Sequence, residues 1–117
     1  MKTFIKIERM KFHARHGVSE QERMVGNDFE VSVELCYPFE VAMETDNLAD
    51  TLNYAEAYDI VAAEMAMPSQ LLENVAGRII KSLTSRFPLI KGGKVTVAKI
   101  TPPITGEMAS VAISVEF

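Results

Sequence analysis

The chain has 117 residues, 48% of them hydrophobic and 24% charged, with a formal net charge of −4. That length and balance describe one soluble domain able to bury a single core without covalent staples. They exclude general nucleic-acid binding, because no basic stripe exists to displace phosphate counterions.

Residues 3–12 read as a first strand, with Ile5 and Ile7 in one phase and Met10 and Phe12 one step out, a slip that predicts a β-bulge. Residues 13–27 read as a long loop holding the polar stretch "HARHGVSEQER". The clearest strand is "FEVSVELCY": Phe29, Val31, Val33, Leu35 and Tyr37 alternate with Glu30, Ser32, Glu34 and Cys36, and Pro38 ends the run. A second loop extends through "ETDNLADTLNY". Ala55 to Met67 is expected to be helical until "PS" breaks it, and Ser69 is the expected N-cap of a longer helix reaching about Arg86. Leu71, Leu72, Val75, Ala76, Ile79, Ile80 and Leu83 mark that helix's apolar stripe. Val95 and Val97 lead to Lys99 in a third strand, and Val111, Ile113, Val115 and Phe117 form the last. The order β-β-α-α-β-β predicts an α+β domain, one antiparallel four-stranded sheet covered on a face by two helices. The two edges of that sheet must be capped, covered or paired with another subunit.

No linker, repeat or low-complexity tract divides residues 1–117, so a single domain is expected. The lone Cys36 excludes an internal disulfide and suggests a reducing compartment. No leader is evident, and no apolar run approaches the ~20 residues that span a bilayer. A cytoplasmic protein with no membrane partner is the expectation.

Lys99 continues the phase of Val95 and Val97, so its side chain belongs to their face at the end of the strand. A lysine there either snorkels off the sheet edge or loses charge stabilisation and moves toward acid–base use. Glu73 lies in the first turn of the long helix, where a carboxylate simply favours the helix dipole. Its neighbours at i+3 and i+4 are the small Ala76 and Gly77, however, and a carboxylate with space beside it can grip a guanidine-like edge through two parallel hydrogen bonds. Tyr54, between a loop and a helix, is a packing aromatic or a functional loop residue. Glu22 is a solvated charge or a participant. His13 and His16 supply two possible metal ligands, fewer than the three or four that zinc requires, and no HExxH, CxxC, GxxxxGK[ST], GxGxxG or GxSxG accompanies them.

The stretches "HGVSEQER", "TDNLADTLNYAEAY", "LLENVAGRI" and "VAKITPPITG" together resemble the dihydroneopterin aldolase family of folate biosynthesis, in order and spacing over essentially the whole chain. The resemblance implies a tunnelling fold, in which four subunits join their sheets into a barrel, two rings stack as an octamer, and sites lie at subunit interfaces. It implies Glu73 as the anchor for the 2-amino group and N3 of a pterin, and Lys99 as the acid–base residue working with an ordered water. Tyr54 of a neighbouring subunit would relay a proton, and Glu22 would pair with or orient Lys99. Leu72, Gly17, Val18 and Asn53 would complete the substrate site, and "HARHGVSEQER" would be a site loop. The implied reaction is retro-aldol cleavage of 7,8-dihydroneopterin, with C2′ epimerisation as a side activity. The substrate's own N5=C6 imine would serve as the electron sink, so no metal, cofactor or lysine Schiff base is expected. Relatives often carry proline directly after the lysine, whereas here Ile100 and Thr101 precede Pro102 and Pro103. Alternatives of the same fold are a 2′-epimerase of dihydroneopterin or its triphosphate and a zinc-dependent pterin synthase using His13 and His16. A non-catalytic oligomeric pterin-binding module would need Glu73 but neither Lys99 nor Tyr54.

Overall fold

Period-two alternation in the first third of the chain builds an antiparallel pair, β1 (Phe4–Ala14) and β2 (Asn27–Cys36). A computed structural model describes all 117 residues. The pairing runs from Phe4 opposite Cys36 to Ala14 opposite Asn27, and the expected bulge falls between Ile7 and Met10, where Glu8 and Arg9 together face Ser32. Arg9 adopts a φ of 55°, and its N–H donates to the Ser32 hydroxyl at 2.9 Å. β3 (Gly92–Lys99) pairs with β2, and β4 (Val111–Glu116) pairs with β3, giving the order β1-β2-β3-β4, antiparallel throughout.

The helices cover one face only. Phe29, Val31, Val33 and Leu35 of β2 and Val95 and Val97 of β3 turn inward, each at most 2% exposed. They meet Ala57, Val61 and Met65 of α3 (Tyr54–Met65) and Val75, Ala76, Ile79 and Leu83 of α4 (Leu72–Arg86). The opposite face is polar, with Lys6 and Glu34 paired at 3.4 Å and Thr96 and Ser114 hydrogen-bonded at 2.8 Å. No helix is long and apolar enough to cross a membrane.

Several boundaries differ from the sequence reading: β1 runs on through His13 and Ala14, so the loop is shorter than 13–27, β2 spans Asn27–Cys36 and leaves Tyr37 out, and α3 ends at Met65 rather than Met67. The 13–27 loop contains a short helix, α1 (Glu20–Val25), and the second loop contains α2 (Glu40–Thr45) and one 3₁₀ turn (Leu48–Asp50). α3 begins at Tyr54 because the Asn53 side chain accepts from the N–H groups of Ala55 and Glu56. Ser69 does not cap α4. That helix starts from Leu71, which carries no side-chain cap and is 51% exposed outside the apolar stripe. Ser69 is held in the connecting turn instead, where its N–H meets His16 and its hydroxyl meets Asn74.

α3 and α4 form an antiparallel hairpin. Arg78 binds Glu64 at 2.9 Å near the turn, and Arg86 binds Glu56 at 2.5 Å at the far end. The start of α3 therefore lies roughly 17 Å, one helix length at 1.5 Å per residue, from the start of α4.

Candidate active site

Lys99 is the last residue of β3 and lies opposite Phe29 of β2. Its Nζ donates to Glu22 Oε2 at 2.8 Å, and both side chains are largely enclosed, 13% and 22% exposed. The ammonium also sits 5.9 Å from the centroid of the Phe29 ring. The lysine thus stays at its strand end and meets a carboxylate there.

α1 holds that carboxylate in place. Ser19 and Glu22 form a capping box: the Glu22 N–H donates to the Ser19 hydroxyl at 3.1 Å, and Glu22 Oε1 accepts from the Ser19 N–H at 3.4 Å. One oxygen of Glu22 therefore fixes the helix start while the other receives Lys99. The hydrogen bond from Lys99 holds the Glu22 carboxyl below its ordinary value, and the bonds from Ser19 add to this. Gly17 is buried against the same side chain. A Cβ there would lie 2.8 Å from both the carboxylate carbon and Oε2 of Glu22, so only glycine leaves that carboxylate where it is. Val18 is 66% exposed, and Arg23 secures its segment by donating to the carbonyls of Gly17 at 2.9 Å and Val18 at 2.7 Å. A cleft of about 350 Å³ opens beside this helix, lined by Ser19, Glu22, Gly26, Asn27 and Pro103 among others.

Leu72 and Glu73 open α4. Leu72 packs half-buried on the core, whereas Glu73 is exposed and meets no cation of its own chain. A Cβ on Gly77, one turn further, would find open space within 4 Å. The small neighbour leaves clear surface beside the carboxylate, as the spacing suggests.

The remaining two candidates lie elsewhere. Asn53 caps α3 and so presents Tyr54, whose side chain points into solvent at 69% exposure. Because the hairpin is antiparallel, Tyr54 stands a helix length from Glu73. Glu22 and Lys99 meet beside Gly17 and Val18 where β1 and β3 end, and the Gly17 N–H donates to the carbonyl of Ser69, three residues before Leu72 and Glu73 open α4, while Asn53 and Tyr54 stand at the other end of the α3–α4 hairpin.

The histidines have unrelated surroundings. His13 Nδ1 contacts Asp28 at 3.0 Å and Nε2 contacts the Val25 carbonyl at 3.3 Å, and the Asp28 hydrogen bond raises its pKa. His16 is buried, its ring edge-on to Phe29 with centroids 5.2 Å apart. No group of three His, Cys, Asp or Glu side chains converges in the chain. Sequence reasoning missed the parts played by Ser19, Arg23 and Ser69. The Ser19–Glu22 spacing is itself a helix-start signature and could have revealed α1. Arg23 binds backbone carbonyls, and Ser69 is engaged through its N–H and C=O as well as its hydroxyl, contacts that leave no such pattern.

The family model described as dihydroneopterin aldolase (FolB) matches residues 5–116. The curated dihydroneopterin aldolase of Bacillus subtilis is 37% identical over 113 residues, spanning 93% of this chain and 92% of its own. The crystal structure of the Escherichia coli dihydroneopterin aldolase in complex with neopterin matches with a TM-score of 0.89 at 22% identity, over 98% of each chain. A dihydroneopterin aldolase from Burkholderia, bound to guanine, matches with a TM-score of 0.80 at 16% identity, over 99% of this chain and 90% of that one. At such identities the two structures speak for the fold alone.

Proposed function

This chain belongs to the dihydroneopterin aldolase family, and from that premise we propose that it splits 7,8-dihydroneopterin into 6-hydroxymethyl-7,8-dihydropterin and glycolaldehyde, a lyase step of folate biosynthesis. The observation that carries the reading is the enclosed Lys99–Glu22 pair at 2.8 Å, at the end of the molecule where α4 presents Glu73.

In this account the Glu73 carboxylate accepts hydrogen bonds from the 2-amino group and N3 of the pterin. Neopterin and guanine, the ligands of the two structural neighbours, share that 2-amino-4-oxo edge. Leu72 flanks the ring, and Gly17 and Val18 border the trihydroxypropyl chain. Lys99, oriented by Glu22 and acting through an ordered water, takes the proton of the 2′-hydroxyl. The C1′–C2′ bond then breaks. Its electron pair forms a C6=C1′ double bond, and the former N5=C6 π pair settles on N5, which takes up a proton. C2′ leaves as the aldehyde carbon of glycolaldehyde. Protonation of C1′ and loss of the N5 proton restore the imine and give the product. Tyr54 from a second copy relays the proton near C1′, with Asn53 setting its position. Because the ring itself receives the electrons, neither a metal nor a Schiff base is called for. Each positioned acid or base of this kind contributes about 10²- to 10⁴-fold. Re-addition of C1′ to the opposite face of the glycolaldehyde carbonyl before release would invert C2′ and give a C2′ epimerase side activity.

The separation of Tyr54 from Glu73 supports a site built from two copies. So do the unpaired outer edges of β1 and β4 and a polar sheet face suited to a wet lumen. We place four chains in a barrel and two barrels in an octamer. Incubation of EDTA-treated protein with 7,8-dihydroneopterin, followed by chromatography of the pterins, tests the activity. Equimolar 6-hydroxymethyl-7,8-dihydropterin and glycolaldehyde are expected, with a minor monapterin peak. Monapterin alone would make the chain an epimerase, and turnover only on added zinc would contradict the metal-free reaction.

A further inference from the structure

His16 is 1% exposed, yet the mechanism above does not use it. Its Nδ1 accepts from the Ser69 N–H at 3.1 Å, so the ring is the neutral tautomer with its proton on Nε2. That Nε2 is buried without a hydrogen-bond partner. The next residue closes a second link, because the Gly17 N–H donates to the Ser69 carbonyl at 2.9 Å. Ser69 is thus bound through both its N–H and its C=O to the His16–Gly17 pair.

The two segments joined here each carry half of the site. Residues 15–19 have no regular structure and lead into the helix of Glu22, and residues 66–71 have none and lead into Leu72 and Glu73. Each is tied firmly to its own side. Arg23 holds the carbonyls of Gly17 and Val18, and Arg78 reaches the Met67 carbonyl and the Ser69 hydroxyl, both at 2.9 Å. The His16–Ser69 bridge sets one side against the other. The His16 ring also packs on the same Phe29 whose ring lies beside the Lys99 ammonium.

We propose that His16 is a positioning residue, whose Nδ1 clamps the Glu22 segment onto Ser69 and so fixes the Glu22–Lys99 pair relative to Glu73. The inference rests on the aldolase reading. A displacement of about 1 Å in a near-attack geometry costs on the order of 10²-fold, so a single buried acceptor can matter this much.

The test compares His16→Leu with His16→Asn in the full-length protein, reading kcat and KM for 7,8-dihydroneopterin, the Kd of neopterin, and hydrogen exchange at the Ser69 amide. Asn places its Oδ1 where Nδ1 stood, whereas Leu fills the space without an acceptor. For His16→Leu, kcat is expected to fall by about 10- to 100-fold, with neopterin affinity within about threefold because the anchor sits on α4 itself. His16→Asn should recover kcat to within about fivefold of wild type and keep Ser69 protected. A purely structural role predicts the reverse ranking, since a polar, smaller Asn harms an apolar pocket more than Leu does. Leu equal to or better than Asn in kcat would overturn the proposal. If His16→Leu does not fold, a loss of more than about 30-fold in folded His16→Asn overturns it instead. An inactive wild type would refute the aldolase reading and this role with it. Equal Ser69 exchange in the two variants would refute the clamp alone.

Discussion

Each carboxylate oxygen of Glu22 has its own partner, Ser19 on one side and Lys99 on the other, and the mutational expectations follow from that division. Lys99→Ala removes the acid–base group, so kcat should fall by about 10²- to 10⁴-fold with little change in pterin affinity. Glu73→Gln keeps the shape but loses the anionic acceptor, so pterin Kd should rise by about 10-fold or more, and an unchanged Kd would remove Glu73 as the anchor. The two histidines respond to pH in opposite senses. Burial, with Arg78 and Lys99 nearby, lowers His16 from 6.5 to about 4, so an unfolded chain takes up this proton first. His16's contribution to stability is complete above pH 6.5 and is lost as pH falls toward 4. His13 is raised by Asp28, so its contribution is complete below 6.5 and fades as pH rises through its folded value. Urea titrations at pH 7, 6 and 5 should show wild type losing stability more steeply than His16→Leu, and parallel slopes would contradict this. Glu73 and Lys99 were legible as odd residues from small neighbours and strand phase. The steric need for glycine at position 17 was not, since it arises from the Glu22 side chain, which only the folded loop brings against it.

At the level of elements, the strands and the α3–α4 hairpin follow from period-two and helical spacing, including the bulge betrayed by the slip between Ile7 and Met10. The short helices were hidden by their length. α1 has six residues and no buried one, so no apolar stripe marks it, and only its capping box does. Ser69 misled for a related reason. It has the right chemistry for a cap, but His16 and Asn74 engage it first, and α4 starts three residues later without a side-chain cap. Ser19→Ala should cost about 1 kcal/mol of stability and also free Glu22 Oε1. Turnover should therefore drop further than the loss of folded protein explains, as active-site titration would reveal. A drop matching the folded fraction would show that the cap does not steer the carboxylate.

The whole molecule explains why one chain cannot be a complete enzyme in this account. An antiparallel hairpin cannot bring the start of α3 to the start of α4, so the proposed joint use of Tyr54 and Glu73 requires a second copy. The sequence resemblance implies such a division, and the hairpin geometry is a reason to propose it. Complementation between two disabled variants tests it most directly. Tyr54→Phe keeps Lys99, and Lys99→Ala keeps Tyr54. Unfolded together, refolded as a mixture and assayed with 7,8-dihydroneopterin, they should regain about a quarter of wild-type activity, the share of interfaces that receive both intact residues in random assembly. Each variant refolded alone should stay near its own low rate. A mixture no more active than the average of the two would mean that Tyr54 and Lys99 act within one chain or not together, and the shared site would fall.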